Sequence, residues 1–400
     1  MQLIHEMYSD YERLLHANPQ RGYDFFYSTL LNPALREPML TSEASLQAIF
    51  CGCNEKGQAI FPNALNINDL LIDEGYMDQA LGNYLAFLGY SNPGNDWTTF
   101  LRNNYTAIFA DKTALAAVLQ SRTAMQLFVS DATLWAAILA NTTYFKRCMC
   151  SYYFCAQLAA TPTKIDNIRA NSNILTAFNT DKKIVTSNQT ITAAQSTVFF
   201  CMIIGQGGTG GTGGYSQKYG CDYTYYDAES GQPGNNGGTA GKTRYNEYGD
   251  RDKEKNAGGG GGRGGVTYCA IRLKKNAKLS CSMSSTPTFT GNDKRSSFKQ
   301  AANNTQAQIL PNIETSSDST SGTNAANGYG GYGYGTPASG NNFLGTPYAG
   351  NGQAGNDRAA KHGNGGKGIG AGGGGGGGWS GSGAKGGNGA SGCIGLYRGA

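Results

Sequence analysis

The chain has 400 residues, a formal net charge of +5 and only 15% charged residues. Its hydrophobic content of 39% is too high for a disordered chain, and its charge is too small to favour a dedicated nucleic-acid-binding surface. The 60 glycines are unevenly spread, because seven lie in residues 1–200 and 53 lie in residues 201–400. The sequence therefore consists of two regions of different composition that meet near Cys201.

The sequence gives no indication of a membrane-spanning segment. No stretch reaches the roughly 18 apolar residues that a membrane helix needs. The first residues, 1–6, also lack the basic and hydrophobic regions of a signal peptide. We expect a soluble protein that is made in the cytoplasm and does not insert into a membrane.

The ten cysteines are scattered through both halves, so we do not expect a disulfide framework. Two clusters, Cys51 with Cys53 and Cys148 with Cys150 and Cys155, lack the paired spacing that typically holds zinc. The three histidines are too far apart in sequence to form a recognisable catalytic group. We therefore predict no metal, no cofactor and no enzymatic activity.

Residues 1–110 are typical of an ordinary globular domain with short helices. Helical patterns occur at residues 42–50 and 67–73, and Thr41 or Ser42 is a candidate N-cap for the first of them. This region carries no motif that indicates a chemical activity.

A ten-residue repeat without gaps covers residues 111–180. Its first position is always a residue type that caps helix N-termini by accepting a backbone hydrogen bond. These seven residues are Asp111, Ser121, Asp131, Asn141, Ser151, Thr161 and Asn171. Pro162, directly after Thr161, suits the first position of a new helix.

The fifth and eighth positions of the repeat are mostly apolar, a spacing that places them on one helical face. In a single continuous helix this stripe would rotate by roughly 80° per repeat, and no flat partner could cover it. We therefore predict a solenoid of short helices, one per repeat, that acts as a spacer. The apolar pairs include Leu115 and Val118, Met125 and Phe128, Trp135 and Ile138, Ile165 and Ile168, and Leu175 and Phe178.

Strand-like segments alternate with glycine runs in the second half. After residues 183–192, the β-branched and aromatic run at residues 197–204 leads directly into a glycine run at residues 205–214. A second run, residues 258–265, precedes strand-like segments at residues 266–273 and 278–283. A third, residues 372–378, precedes Trp379, and the chain closes with an apolar segment at residues 393–397.

The glycine runs have two interpretations. One is a flexible low-complexity tail, because ordering glycine costs the most backbone entropy. The other is a set of extended helices of the polyproline II type that pack side by side, because no Cβ keeps their backbones apart. The apolar segments at both ends of the region favour the second, and collagen is excluded because glycine does not recur at every third position.

The repeat resembles the ten-residue arrays with Ser/Thr, Ala and Met/Leu in tail proteins of bacterial viruses. Residues 183–400 resemble the glycine-rich terminal domain of bacteriophage tail fibres and tail-fibre adhesins, matching at residues 198–214, 258–283 and 372–397. The resemblance implies a rigid slab of polyglycine II-like helices with variable segments that contact the host. This chain departs from the pattern in its long intervening segments, residues 215–257 and 284–327.

The resulting hypothesis is a multi-domain virion protein that is assembled in the host cytoplasm and resides in the tail. A mostly α N-terminal half would comprise an attachment domain, residues 1–110, and the repeat, residues 111–180. A β and polyglycine II-like domain, residues 181–400, would follow. The resemblance implies other tail proteins as partners, a host-surface receptor that is a protein or a glycan, and a homo-oligomer, with a trimer as the usual form.

Tyrosines in the interruptions between glycine runs are the candidate receptor-binding residues. Tyrosine gives apolar contact area with a hydrogen-bonding tip at low entropic cost. The alternative is that these rings only cover the glycine slab. The candidates are Tyr223, Tyr225, Tyr226, Tyr329, Tyr332, Tyr334 and Tyr348.

Three other functions are consistent with parts of the sequence. The first is a tail component without receptor contact. The second is nucleic-acid binding, but only one Arg-Gly-Gly occurs, at residues 263–265. The third is a phosphate-binding loop at residues 363–368, where Lys367 is followed by glycine instead of the Ser or Thr of the Walker pattern.

Overall fold

A computed structural model describes the helical half and the strands of the second half. The described residues are 19–53, 56, 64–204, 215–219, 222–225, 266–273, 275–283, 288–292, 297–301, 341–343, 346–348, 379–380 and 391–399. The described residues are mostly α up to residue 180 and β thereafter, as the sequence predicts, whereas the predicted polyglycine II-like runs lie outside the described residues.

The first six of thirteen helices in the described residues precede the repeat. Each contributes an apolar side to a common core, with Phe26, Leu46, Leu71 and Leu85 fully buried or nearly so. The six helices are α1 (Pro19–Leu31), α2 (Pro33–Thr41), α3 (Glu43–Phe50), α4 (Ala64–Asp73), α5 (Met77–Phe87) and α6 (Trp97–Ala110).

The repeat forms seven short helices, one per ten residues, and each begins directly after the predicted cap residue. The prediction of repeated helix restarts, including the restart at Pro162, is confirmed. The helices are α7 (Lys112–Val118), α8 (Arg122–Ser130), α9 (Ala132–Ala140), α10 (Thr142–Cys148), α11 (Tyr152–Ala159), α12 (Pro162–Ala170) and α13 (Ser172–Asn179).

Five of the seven predicted caps accept a backbone hydrogen bond through their side chains: Asp111, Ser121, Asp131, Asn141 and Asn171. The side-chain prediction is wrong for the other two. The Ser151 hydroxyl donates to the Leu119 carbonyl at 2.7 Å. The Thr161 hydroxyl donates to the Gln157 carbonyl at 2.9 Å. In both cases a carbonyl at the end of an earlier helix takes the hydroxyl that could have capped the next one.

Three repeats make one turn of the solenoid, because contacts recur about 30 residues apart. Helix α11 packs on α8, and α13 packs on α10. The corners stack too, since the Asn171 side-chain amide donates to the Leu139 carbonyl at 3.1 Å, in the same relation as Ser151 to Leu119. Consecutive helices α8 and α9 are bent by 82°. Helices α8 and α10 are therefore each covered by a helix of the next turn.

The eighth position of every repeat is buried, as predicted. The fifth position is buried in six repeats, and only Leu175 is partly exposed. The fourth position, which the two-residue pattern missed, is also buried in five repeats, for example at Leu134 and Ile174. The three positions form a wider stripe because each helix faces the inside of the turn as well as the next turn.

The strands of the second half form four sheets among the described residues. The strands are β1 (Lys182–Val185), β2 (Gln189–Thr192), β3 (Thr197–Ile204), β4 (Tyr215–Tyr219), β5 (Asp222–Tyr225), β6 (Val266–Leu273), β7 (Lys278–Ser282), β8 (Thr288–Asn292), β9 (Ser297–Ala301), β10 (Asn341–Phe343), β11 (Thr346–Tyr348), β12 (Trp379–Ser380) and β13 (Cys393–Tyr397). Their orders are β1-β13-β3-β6, β2-β7-β8-β9, β12-β4-β5 and β10-β11.

The sheet β1-β13-β3-β6 lies between the helices and the sheet that contains β2 and β7. Along β3, residues 198, 200, 202 and 204 join the helical core, whereas residues 199, 201 and 203 pack with β7 on the other face. Burial on both faces explains why this strand is apolar at every position from Val198 to Ile204 instead of alternating with polar residues. The strands predicted at residues 197–204, 266–273 and 393–397 are confirmed.

One hydrophobic cluster runs from Phe26 in α1 through the repeat to Phe200 and Tyr397 in the sheet. The aromatic ring of Phe178, in the last repeat, lies 4.6 Å from the Tyr397 ring and 5.5 Å from the Phe200 ring. The sheet is therefore fixed to the end of the solenoid by large apolar side chains.

In the described part of the chain, no single helix is long and apolar enough to cross a membrane.

We predict that Asp131→Ala lowers the free energy of unfolding by about 1 kcal/mol, because it removes the cap of α9. The Asp131 carboxylate accepts hydrogen bonds from the backbone amides of Thr133 and Leu134 and from the Arg102 guanidinium. Urea unfolding followed by circular dichroism measures this loss. Asp166→Ala, at an exposed carboxylate in the middle of α12, is the control and should change stability by less than about 0.5 kcal/mol.

The Asp131 carboxylate should also make the free energy of unfolding depend on pH. The hydrogen bond from Arg102, with those from the helix amides, lowers the pKa of Asp131 below the ordinary 3.8. Its stabilising effect is thus fully present above that value and is lost as the pH falls through the lower, folded-state pKa. The stability difference between the wild type and Asp131→Ala should therefore narrow in acid. A difference that stays constant down to pH 2 would contradict this assignment.

Candidate functional site

Three strand ends lie side by side at one edge of the sheet β1-β13-β3-β6, which we call the central sheet. Strand β3 ends at Ile204, and in the antiparallel register Val266 of β6 and Cys393 of β13 both lie opposite Ile204. The first glycine run leaves from this point, the second arrives at β6, and the glycine-rich segment at residues 381–392 arrives at β13. The pairing therefore brings the ends of three glycine-rich segments to neighbouring positions.

A second sheet joins the strands that directly follow two glycine runs in the chain. Strand β4 directly follows residues 205–214, and β12 directly follows residues 372–378. These two strands are parallel neighbours, with Trp379 opposite Tyr215. The chain thus leaves both runs in the same direction and at the same place, and we call this three-stranded sheet, β12-β4-β5, the distal sheet.

Three of the seven candidate tyrosines lie in described strands. Tyr223 and Tyr225 belong to β5 of the distal sheet, opposite Lys218 and Ser216 of β4. Tyr348 ends β11 and lies opposite Asn341 in the two-stranded sheet. The other four, which lie outside the described residues, are Tyr226, Tyr329, Tyr332 and Tyr334. The pairings do not join the first group to Tyr348, so a common tyrosine surface stays a prediction.

A buried ion pair ties the central sheet to the N-terminal helices. Arg272, near the end of β6, contacts both carboxylate oxygens of Asp69 in α4, with distances of 2.7 and 2.6 Å from its Nη2 atom. Their side chains are only 5% and 16% exposed. The Tyr153 hydroxyl from α11 donates to the same carboxylate at 3.0 Å. The pair therefore joins the N-terminal helices, the repeat and the sheet at one point.

Aromatic rings enclose this ion pair. The Arg272 guanidinium lies 5.2 Å from the centre of the Tyr152 ring, and the Arg122 guanidinium lies 5.5 Å from that of Tyr153. Burial alone would lower the pKa of Arg272, but the Asp69 carboxylate raises it above its ordinary value. The guanidinium therefore stays charged, and its charge is matched inside the protein.

The buried thiols are poorly suited to act as nucleophiles or metal ligands. Burial raises the pKa of Cys148 and Cys155 well above that of a free thiol, and it raises the pKa of Cys53 to about 12. A thiol must lose its proton to act as a nucleophile or a metal ligand. Within the described ranges, no group of three or more His, Cys, Asp or Glu side chains is placed to hold a metal ion.

No family model, curated protein or solved structure matches the chain. The resemblance to phage tail proteins therefore rests on the sequence pattern alone.

Sequence reasoning missed the Asp69–Arg272 pair. The signal was present, because Arg272 interrupts the apolar segment at residues 266–273, and a charge buried in a strand needs a partner. The partner itself could not be read from the sequence, since it lies 203 residues away in a helix. The glycine pattern indicated the region of interest but did not indicate what anchors it.

We predict that Asp69→Ala lowers the free energy of unfolding by about 3–5 kcal/mol, because it leaves the Arg272 charge buried without its carboxylate. The double variant Asp69→Leu/Arg272→Leu should recover much of this loss, because it removes both charges together. Chemical denaturation of the three proteins measures the effect. Asp73→Ala, at an exposed carboxylate at the end of the same helix, is the control. Equal losses in Asp69→Ala and the control would disprove the role of the pair.

Proposed function

We propose that the protein is a structural component of a bacteriophage tail, a tail fibre or tail-tip adhesin that attaches the particle to the host surface. Its N-terminal half would bind other tail proteins, and its glycine-rich half would contact a receptor. The observation that carries the proposal is the meeting of three glycine-rich segments at one edge of a sheet that is packed on a helical solenoid. This arrangement suits a stiff support that carries a distal recognition surface.

The chain lengths between the two sheets fit this proposal. Residues 205–214 lead from the central to the distal sheet, and residues 381–392 lead back. The two segments have 10 and 12 residues, which reach roughly 30 and 37 Å as polyproline II-type helices at about 3.1 Å per residue. Two segments of nearly equal reach with adjacent starting points are suited to lie side by side in opposite directions. Glycine permits this close approach because it has no Cβ.

Recognition would then belong to the tyrosine-bearing segments. Glycine has no side chain with which to distinguish partners, and the apolar side chains of the repeat are buried in the solenoid. Tyr223 and Tyr225 lie beyond the first glycine run, in the distal sheet. Binding residues are often carried by variable segments on a rigid scaffold. We propose this role for the seven candidate tyrosines together, in a homo-oligomer of the trimeric kind that tail fibres usually form.

If the glycine runs form ordered helices, their backbone amides should exchange slowly with solvent. In the intact protein, amides of residues 205–214 and 372–378 should exchange with deuterium more slowly than those of an unstructured glycine peptide. Hydrogen bonds to neighbouring segments would protect these amides from exchange. Hydrogen exchange with mass spectrometry measures this difference. A synthetic peptide of residues 372–378 is the matched control. Exchange at the peptide's rate throughout both runs would favour a flexible tail and remove the basis for the slab.

The adhesin role is tested by exchanging the candidate segments. Replacing residues 215–257, and separately residues 328–350, with segments from a related fibre should change adsorption to host cells by at least tenfold, since the receptor contacts would be lost or redirected. Particle incorporation and unchanged helical circular dichroism serve as checks on folding. Thr143→Ala, at an exposed position of the repeat, is the control and should leave adsorption unchanged.

If incorporated particles with either exchange adsorb as the wild type does, the protein is a tail component without receptor contact. That outcome would retain the structural role of the helical half and reject the adhesin role of the tyrosines.

A further inference from the structure

The last strand of the chain fills a slot between two earlier strands. Strand β13 pairs with β1 on one side, where Val185 lies opposite Ile394, and with β3 on the other, where Ile204 lies opposite Cys393. Cys393, Ile394, Leu396 and Tyr397 are at most 1% exposed. Without β13, both neighbouring strands would present unpaired backbone groups inside the protein, so the slot needs a strand.

The fit of the strand is specific in sequence and register. A Cβ at Gly399 would overlap the Lys146 carbonyl oxygen and the Cys150 sulfur, and a Cβ at Gly395 would overlap the Tyr397 ring. Arg398 forms an ion pair with Asp181 at the mouth of the slot, and its backbone amide donates to the Asp181 carbonyl at 3.1 Å. These contacts select the native strand over other apolar segments.

The slot and the strand that fills it come from distant parts of the chain. The paired edges β1 and β3 and the aromatic cover from Phe178 all belong to residues up to 204. The strand follows only after the 188 residues at positions 205–392. At a synthesis rate of about 5–20 residues per second, the slot-forming residues exist for roughly 10–40 s before their own strand has been made.

We propose that this slot also accepts β13 from a second copy of the chain, so that copies become linked by exchanged C-terminal strands. An exchanged strand makes the same hydrogen bonds and apolar contacts as the chain's own strand, so exchange loses no contact. Before β6 to β12 have paired, the connection of 188 residues imposes only a weak preference for the chain's own strand, because the entropic advantage of a tether falls as its length grows. High local concentration of nascent copies therefore favours exchange. The inference does not depend on the virion role.

The test places a cysteine at each partner of the ion pair at the mouth of the slot. Asp181 and Arg398 are 36% and 50% exposed, so the full-length double variant Asp181→Cys/Arg398→Cys can be oxidised without opening the core. A disulfide within one chain keeps the monomer mass on a non-reducing gel, whereas a disulfide to an exchanged strand gives a covalent dimer. We expect the dimer fraction to rise at least threefold when the variant refolds at a tenfold higher protein concentration.

The single variants Asp181→Cys and Arg398→Cys are the matched controls for chance links between exposed thiols, and they should give less dimer than the double variant at each protein concentration. Adding Gly395→Val to the double variant should abolish both kinds of link, because the strand no longer fits. Monomers that carry only internal links at every concentration would overturn the proposal. It would equally be overturned by dimers that form as readily in a single variant, or by the absence of any link between the two positions.

Discussion

The pairing of β3 on both sides is the constraint on which the rest of the structure depends. Its neighbours β6 and β13 come from residues that lie far along the chain, and both run antiparallel to it. The end of β3 is therefore also the place where two later segments return. Because its two faces pack against different layers, a shift of register by one residue would exchange every side chain between the helical core and the other sheet. This register fixes where the chain enters and leaves the glycine-rich segments.

The solenoid gives that sheet a fixed base. Its three-repeat turn is held by two kinds of contact, apolar side chains at the fourth, fifth and eighth positions and hydrogen bonds between stacked corners. The last repeat then contributes Phe178 to the sheet, and α4 contributes Asp69 to Arg272. The apolar contacts supply most of the stabilisation, since a buried ion pair gains little overall. The ion pair instead penalises arrangements in which β6 and α4 separate.

The features that the sequence predicted correctly depend on neighbouring residues. Helix restarts follow from a cap residue and a ten-residue spacing, and β3 follows from an unbroken apolar run. The features that were missed depend on residues that are far apart. The fourth position of the repeat is buried only because the solenoid turns every three units, and Ser151 bonds Leu119 only because corners stack. Likewise, no local pattern places Cys393 beside Ile204 or Arg272 beside Asp69.

The same separation of local and distant contacts bears on the proposed recognition role. Strand pairing places Ile204, Val266 and Cys393 at one end of the sheet, with the helices on one face of it and β7 on the other. Lengthening a segment between fixed ends costs free energy only with the logarithm of its length. A connecting segment without core residues, such as that between Ile204 and Val266, can therefore vary in length and composition while the described side-chain core stays unchanged. A chain built in this way can alter that segment at little cost in stability, a property that would suit the proposed attachment to a host surface.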